Sequence, residues 1–506
     1  MLENSKGVGC VYLVGAGPGD PGLITMRGGA LLRRADVVLY DFLVNPLILQ
    51  FVQGDTETIC LGRHGKGRLL SQKEINQKMI DFAIAGKIVV RLKAGDPAVF
   101  ARVAEETDAL DAAGVLWEIV PGITASFAAP SYAGISVTNR DHASAVAMVT
   151  GQEKDSGEGS KLDYAALAAF PGTLIFYMGV TTAPQWTQKL IEAGRDRKAA
   201  ATIIHRCSWN DQQVISCRLE SVAEELVRRQ MRPPAVIVIG NTSAASPAVS
   251  WFERKPLIGQ TILITRPHQQ SYEMCRALTE LGAGCLIQPA IEIAPPQDWT
   301  PVDAALKSLE EYDWLVFSSA NGVRAFLDRL CLLHGDLRRL GGIRLAAIGP
   351  STAEALSKYY LSADIVPAEY RAEALAGKLA GKAKGQRFLL ARASRGREIL
   401  AEQLSAAGGK VNQIVLYESR DVLAPDPNVA AALAEDQIDW MTVTSSSIAR
   451  SLVNLFGEQL RKVRLASISP VTSQVLQECG HKPAVEAKDY TTAGLTAAIR
   501  ASVMGR

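Results

Sequence analysis

The residues with the clearest chemical potential lie near the start of the chain, in VYLVGAGPGDPGLIT. Gly17-Pro18-Gly19-Asp20-Pro21-Gly22 satisfies the spacing GxGxxG, and Asp41 ends the next apolar run about where a ribose-binding acid would stand. In a dinucleotide site such a loop holds a pyrophosphate with backbone N–H groups. Pro18 and Pro21 argue against that use, because proline has no N–H to offer. A carboxylate placed like Asp41 either acts as a general base toward a bound substrate or caps the turn that follows. Two more turn clusters, Gly95-Asp96-Pro97 and Pro121-Gly122-Ile123-Thr124, mark places where backbone can approach a ligand closely.

In the second half the candidate groups are hydroxyls. Ser318, Ser319, Ser445 and Ser446 follow strand-forming runs, and Thr352 and Thr472 occupy matching positions of a repeat described below. Serine after a strand either faces a ligand at the carboxyl edge of a parallel sheet or N-caps the next helix. Neither a phosphate loop nor a metal-ligand spacing occurs there.

The elements that must position these groups are legible as short apolar runs. VYLVGAG, ADVVLYD, IVVRL, TLIFYMG, AATIIHR and AVIVIG mark strands in the first half; ILITRP, DWLVFSS, RLAAIG, FLLARAS, DWMTVTSS and RLASIS mark them in the second. Each precedes a helix-forming stretch, which predicts α/β architecture with largely parallel sheets. The pattern lapses in NTSAASPAVSWFERKP, which places a linker at 248–257 between units 1–247 and 258–506. At 506 residues the chain is too long for a single core. GQTILITRP from Gly259 returns as GQRFLLARA from Gly385, and DWLVFSS from Asp313 as DWMTVTSS from Asp439, both 126 residues later. RLAAIGPSTAEAL from Arg344 returns as RLASISPVTSQVL from Arg464. Three blocks repeated in one order predict two similar lobes with a cleft between them.

A net charge of +2 supplies no overall field for nucleic acid or an anionic membrane, so an acidic substrate must be held by local cations. The start, MLENSKGVGC, lacks the apolar core of a signal peptide, and the uncharged run 119–139 is broken by Pro121, Pro130, Gly122 and Gly134. Eight cysteines without CxxC spacing and six scattered histidines predict reduced thiols in a cytoplasmic protein and no metal site.

GAGPGDPGLIT, ADVVLYDFLV, GRHGKGRLLSQKEIN, VVRLKAGDPAVF, VPGITASFAAPSYAGISVTNRDHASAVAMVTG and TLIFYMG, in that order over about residues 8–252, resemble the tetrapyrrole methylases, and within them uroporphyrinogen-III C-methyltransferase. The resemblance implies two α/β lobes with S-adenosylmethionine in the cleft between them. It implies cofactor contacts at Pro18, Ala94, Gly95, Asp96, Val99, Thr124, Ala125, Met178 and Cys207. Asp41 matches the family's catalytic aspartate, and Arg63 stands where a lysine acid is usual. A guanidinium is a poor proton donor, so Arg63 suits pairing with substrate carboxylates better. The chain departs from the family pattern at Phe42, an arginine there; at Ala101, Val103 and Ala104 within the family's FGRGGEE; and at Cys207, a glycine there. The family also suggests a homodimer through this half.

ILITRP, FSSANGVRAF, IGPSTAEAL, IVLYES, VTSSS and YTTAGL resemble uroporphyrinogen-III synthase over 258–506. That resemblance implies one lobe of about 258–292 plus 421–506 and another of about 298–416. It implies Tyr417 as the group assisting hydroxyl departure from hydroxymethylbilane, Thr352 and Thr472 as cleft threonines, and the four serines near substrate. The second unit's product, uroporphyrinogen III, is the first unit's substrate, so the fusion implies a route to precorrin-2 and on toward sirohaem or cobalamin. The alternative is a methylase of another tetrapyrrole or of a macromolecule, with a non-catalytic tetrapyrrole-binding module behind it.

Overall fold

All twelve apolar runs become strands. The computed structural model describes residues 8–53, 56–62, 70–153, 160–244, 249–395 and 398–505. Four five-stranded sheets, two in each half, carry helices against their faces. No helix of the described residues is long and apolar enough to cross a membrane.

β1 (Cys10–Gly15), β2 (Val37–Tyr40), β3 (Glu57–Cys60), β4 (Ile88–Lys93) and β5 (Leu116–Val120) form an all-parallel sheet in the order β3-β2-β4-β1-β5. β1 is buried along its whole length, as a central parallel strand covered on both faces must be. The second sheet comprises β6 (Val146–Thr150), β7 (Thr173–Tyr177), β8 (Ala200–His205), β9 (Gln213–Arg218) and β10 (Ala235–Ile239), ordered β6-β7-β10-β8-β9. Here only β6 and β7 run parallel; β10 is antiparallel to both its neighbours, and β8 to β9. The sheet thus departs from the parallel expectation. The link from His205 to Gln213 is too short for a crossover and returns the chain antiparallel.

In the second half the chain lays down β11 (Thr261–Ile264) and β12 (Gly284–Ile287), then leaves for the far sheet. There it builds β13 (Ile291–Ala294), β14 (Trp314–Phe317), β15 (Arg344–Ala347), β16 (Arg387–Ala393) and β17 (Lys410–Asp421). It returns with β18 (Trp440–Val443), β19 (Arg464–Ser467) and β20 (Val485–Glu486). The orders are β12-β11-β18-β19-β20 and β13-β17-β16-β14-β15. Within them β11-β18-β19 and β16-β14-β15 are the same unit twice, as the sequence repeat requires. Even a surface detail recurs: Arg344 lies over the Trp314 ring at 4.4 Å and Arg464 over Trp440 at 4.3 Å. The expected lobe limit near residue 292 falls within β13, which pairs antiparallel with Glu418–Asp421 of β17 in the other sheet. β17 outruns its partner β16, and β13 fills the edge this leaves.

The joining segment is packed. Phe252 and Leu257 are buried, the Phe252 ring lies 4.9 Å from that of Tyr132, and Trp251 donates to the Ser131 carbonyl (2.8 Å). The two halves also touch directly. Asn210 accepts from the Gly259 N–H (2.8 Å) and donates to the Gln260 carbonyl (3.1 Å). Leu47 sits in one apolar cluster with Leu257, Ile262 and Leu278, and the Phe51 and Tyr272 rings meet edge-on at 6.0 Å.

Candidate active sites

At the carboxyl edge of the first sheet the glycine-rich turns close on one another. Gly17 and Gly95 exchange backbone hydrogen bonds (3.1 and 2.7 Å). Asp96 ties down two loops at once, its carboxylate accepting from the N–H of Ala98 (2.7 Å) and of Gly122 (2.9 Å). A Cβ at Gly122 would lie 2.2 Å from the Gly95 carbonyl oxygen, and one at Gly15 2.5 Å from the Gly122 Cα, so this approach admits only glycine. A Cβ built on Gly95, at φ +71°, would meet Thr124 Cα and Ala125 N only at 3.9 Å, so the side of Gly95 away from Gly17 is open. The cradle fits a ligand that is recognised largely by backbone.

Tyr177, the last residue of β7, brings the second sheet to this cradle. Its hydroxyl bonds the Thr124 hydroxyl (2.6 Å) and accepts from the Ser126 N–H (2.5 Å), and its ring lies 5.1 Å from Phe100. Cys207 approaches from the other side on a loop where Ser208 accepts from the Asp20 N–H (2.9 Å). Pro18 and Val99 sit on the same loops, and Ala94 follows β4 directly. The expected cofactor positions are therefore brought together. Phe100, Arg102, Met178, Arg206 and Ser208, five of the eight non-glycine residues with positive φ among the described residues, flank the same region. Backbone strain of this kind costs about 1–3 kcal/mol per residue and concentrates where a fold holds a ligand. A cavity of about 400 Å³ opens between Phe100, Arg102, Thr150, Glu153, Lys161 and Met178, with Arg102 paired to Glu105 and the Glu153 carboxylate beside Lys161.

Asp41 follows β2 with its side chain 31% exposed, and its carboxylate accepts from Arg91 Nη2 at 2.6 Å. Asn45, through its bond from the Leu47 N–H (3.0 Å), caps the turn that follows. Behind Asp41 the network continues inward. Arg91 Nε and Lys93 Nζ donate to the two oxygens of Glu106, at 3.1 and 2.7 Å, and these three side chains are at most 3% exposed. Burial, then the neighbouring Arg91 charge, hold the Lys93 ammonium below its ordinary value. Arg63 lies outside the described residues.

In the second half Tyr417 is buried, and its hydroxyl shares a hydrogen bond with Ser319 (3.0 Å). Desolvation raises the Tyr417 pKa, so the phenol stays a donor. Ser319 also caps the helix Ala320–His334 through the Gly322 N–H (3.0 Å), so its hydroxyl joins the cap to the Tyr417 phenol. Ser445 caps Ser446–Phe456 through Ile448 (3.2 Å), and Ser446 opens that helix. The Ser318 hydroxyl donates to the Ala391 carbonyl (3.3 Å). Thr352 and Thr472 lie at matching points of the helices Pro350–Ser357 and Pro470–Glu478, and both are buried. The Thr472 hydroxyl meets that of Ser469 at 3.1 Å.

The family model described as tetrapyrrole (corrin/porphyrin) methylases matches residues 10–223, and that of uroporphyrinogen-III synthase HemD matches 273–497. A relative from Ruminiclostridium josui, porphyrin biosynthesis protein HemD, is 31% identical over 95% of this chain and 94% of its own. The chain belongs to this HemD family of porphyrin biosynthesis proteins. A Bacillus subtilis uroporphyrinogen-III C-methyltransferase is 37% identical over 71% of this chain and 74% of its own. A solved uroporphyrin-III C-methyltransferase of Thermus thermophilus, in complex with S-adenyl homocysteine, is 38% identical over 46% of this chain and 93% of its own, with a TM-score of 0.40.

This HemD-family chain therefore joins a C-methyltransferase domain to a uroporphyrinogen-III synthase domain. Sequence reasoning missed Arg91, Lys93, Glu106 and Tyr177. A signal for the first two was present: Arg91 and Lys93 alternate with Leu92 in an otherwise apolar strand, which puts two charges on one buried face. Glu106 carries no such signal beside Glu105, which faces Arg102 at the surface.

Proposed function

We propose that residues 258–506 convert hydroxymethylbilane to uroporphyrinogen III with inversion of the last ring, and that residues 1–247 methylate it at C2 and C7 to give precorrin-2. The observation that carries the reading is the Asp41 carboxylate, held by Arg91 beside the cradle of Gly95, Gly122 and Gly17. S-adenosylmethionine, when bound, supplies an electrophilic methyl group. The loops at 94–99, 121–125 and 207, with Pro18 and Met178, would hold it. The protein's part in a displacement reaction is chiefly alignment, which a rigid backbone cradle provides. Asp41 takes the proton that the methylated macrocycle must release. Arg63, Arg102 and Lys161 would meet substrate carboxylates.

In the synthase, Tyr417 donates a hydrogen bond to the departing hydroxyl, which takes up one proton from solvent and leaves as water, the proton being returned when the ring has closed. The resulting cationic intermediate closes within a cleft of hydroxyl groups, including Ser318, Ser319, Ser445 and Ser446, and sheds a proton. The reading extends to a cytoplasmic homodimer joined through the methyltransferase half; none of the eight cysteines is paired in a disulfide. The test is direct: purified protein given hydroxymethylbilane and S-adenosylmethionine should form precorrin-2. Accumulation of unmethylated uroporphyrinogen would refute the methyltransferase assignment, and a product of type I isomer alone would refute the synthase.

A further inference from the structure

Arg266 stands just past β11, at the carboxyl end of a strand of the first synthase sheet. Its side chain is part-buried, and Glu273, on the helix that follows, is the carboxylate that acts on it without a direct ion pair among the described residues. Its guanidinium donates instead to Gln270 Oε1 at 3.1 Å, and Gln270 Nε2 donates to Asn321 Oδ1 at 3.0 Å. Gln270 belongs to the helix His268–Glu280 on one lobe, and Asn321 to Ala320–His334 on the other. Asn321 in turn lies near the Tyr417 phenol and favours its charged form. A polar chain therefore runs from Arg266 through Gln270 to Asn321 across the lobe boundary and ends beside the phenol. Burial holds the Arg266 pKa below its ordinary value; the Glu273 carboxylate partly offsets this, and Arg324, one turn beyond Asn321, adds an opposing positive charge.

Burying a guanidinium without an anion is unfavourable, and placing another cation near it more so. Such an arrangement is stabilised when a ligand brings the anion. The planar fork of arginine matches a carboxylate in two parallel hydrogen bonds. We propose that Arg266 is a carboxylate-binding residue for the linear tetrapyrrole, and that the ligand's carboxylate orders the Gln270–Asn321 bridge that positions Tyr417. The inference rests on the synthase reading and deepens it. Arg266 governs binding; Gln270 is a positioning residue that acts through Asn321.

The test uses the full chain and separates KM from kcat for formation of the type III isomer from hydroxymethylbilane. Arg266→Met should raise KM by about 30-fold or more, as loss of one partner of a buried charged pair does, with a smaller change in kcat. Arg266→Lys should recover much of the lost KM, and Gln270→Ala should lower kcat more than it raises KM. Methylation of supplied uroporphyrinogen III by each variant reports folding of the first half, and an unshifted thermal melt reports that of the synthase half. If Arg266→Met fails either control, Arg266→Lys decides: a KM equal to that of the unmutated chain with kcat reduced overturns the proposal, and a KM several-fold higher at similar kcat supports it. An unchanged KM in folded Arg266→Met overturns the proposal and leaves the synthase reading standing. Failure of the unmutated chain to form type III isomer overturns the reading beneath it.

Discussion

Arg91 reaches the Asp41 carboxylate at 2.6 Å from the middle of an apolar sheet, and the same guanidinium is anchored on its far side by Glu106. An exposed face and a buried, charge-paired root give Asp41 a fixed orientation without removing it from the cleft. Asp41→Asn keeps the shape and removes the base. Methylation of uroporphyrinogen III should fall by about 100-fold or more, the usual scale for a positioned general base, while ring closure in the other half keeps its rate. Separate assays of the two reactions check this; an equal fall in both would point to a folding defect.

Glu106→Gln tests the root. Leaving Arg91 and Lys93 buried without their shared anion should cost about 3–5 kcal/mol, seen as a lower melting temperature of the methyltransferase half. The pH dependence has a definite sign. The folded-state pKa of Lys93 lies below its unfolded value of 10.5, so the folded protein binds fewer protons between those two pH values. Stability from this group therefore rises with pH across that window, and removing Glu106 should steepen the rise. Thermal melts from neutral pH to pH 10 would show it; a flat profile in the variant would contradict the assignment.

Gly122→Ala places a methyl group 2.2 Å from the Gly95 carbonyl oxygen. The loops must separate to admit it. Affinity for S-adenosylhomocysteine, measured by calorimetry, should drop by at least about tenfold, the scale of one disturbed set of buried hydrogen bonds. Unaltered affinity would place the cofactor elsewhere.

Tyr417→Phe deletes a single oxygen. Enzymatic closure should slow, leaving a larger share of type I isomer from the uncatalysed reaction. Because desolvation raises the phenol above its ordinary value of 10, the unmutated enzyme should show no loss from tyrosine ionisation between pH 7 and pH 10. An alkaline limb well below pH 10 that vanishes in the phenylalanine variant would count against this.

Cys207 replaces a glycine of the family, and the backbone explains the tolerance. The positive φ values fall on Arg206 and Ser208, so position 207 itself has no need of glycine. Burial pushes its thiol up to about 12, which makes it a poor nucleophile. Iodoacetamide at pH 8 should spare Cys207 in the folded protein, as peptide mass mapping would reveal, and Cys207→Ala should bind S-adenosylhomocysteine as the unmutated chain does.

The strands and the duplicated lobes were legible because period and repetition are local properties of a chain. Each apolar run needed only its own residues to be recognised. The turn clusters were legible for the same reason: Gly95-Asp96-Pro97 cannot be much else. What escaped was pairing between distant positions. Lys93 and Glu106 are separately ordinary, and only the fold sets them 2.7 Å apart. The transfer of β13 to the far sheet depends on the excess length of β17, which no motif announces. Ser319 caps its helix, as one of the two readings had it, and its bond to Tyr417, 98 residues away, is another pairing that only the fold makes.

The contacts of Leu47, Phe51 and Asn210 with the second half make the peptide connection only one of several tethers. A protease that nicks the joining segment should leave a particle that still travels as one through a gel-filtration column. Expressing either half alone would strip the cover from Leu257 and Ile262 or from Leu47, baring a greasy scar that invites clumping. Cleaving the gene in two is thus a harsher operation than cleaving the finished protein.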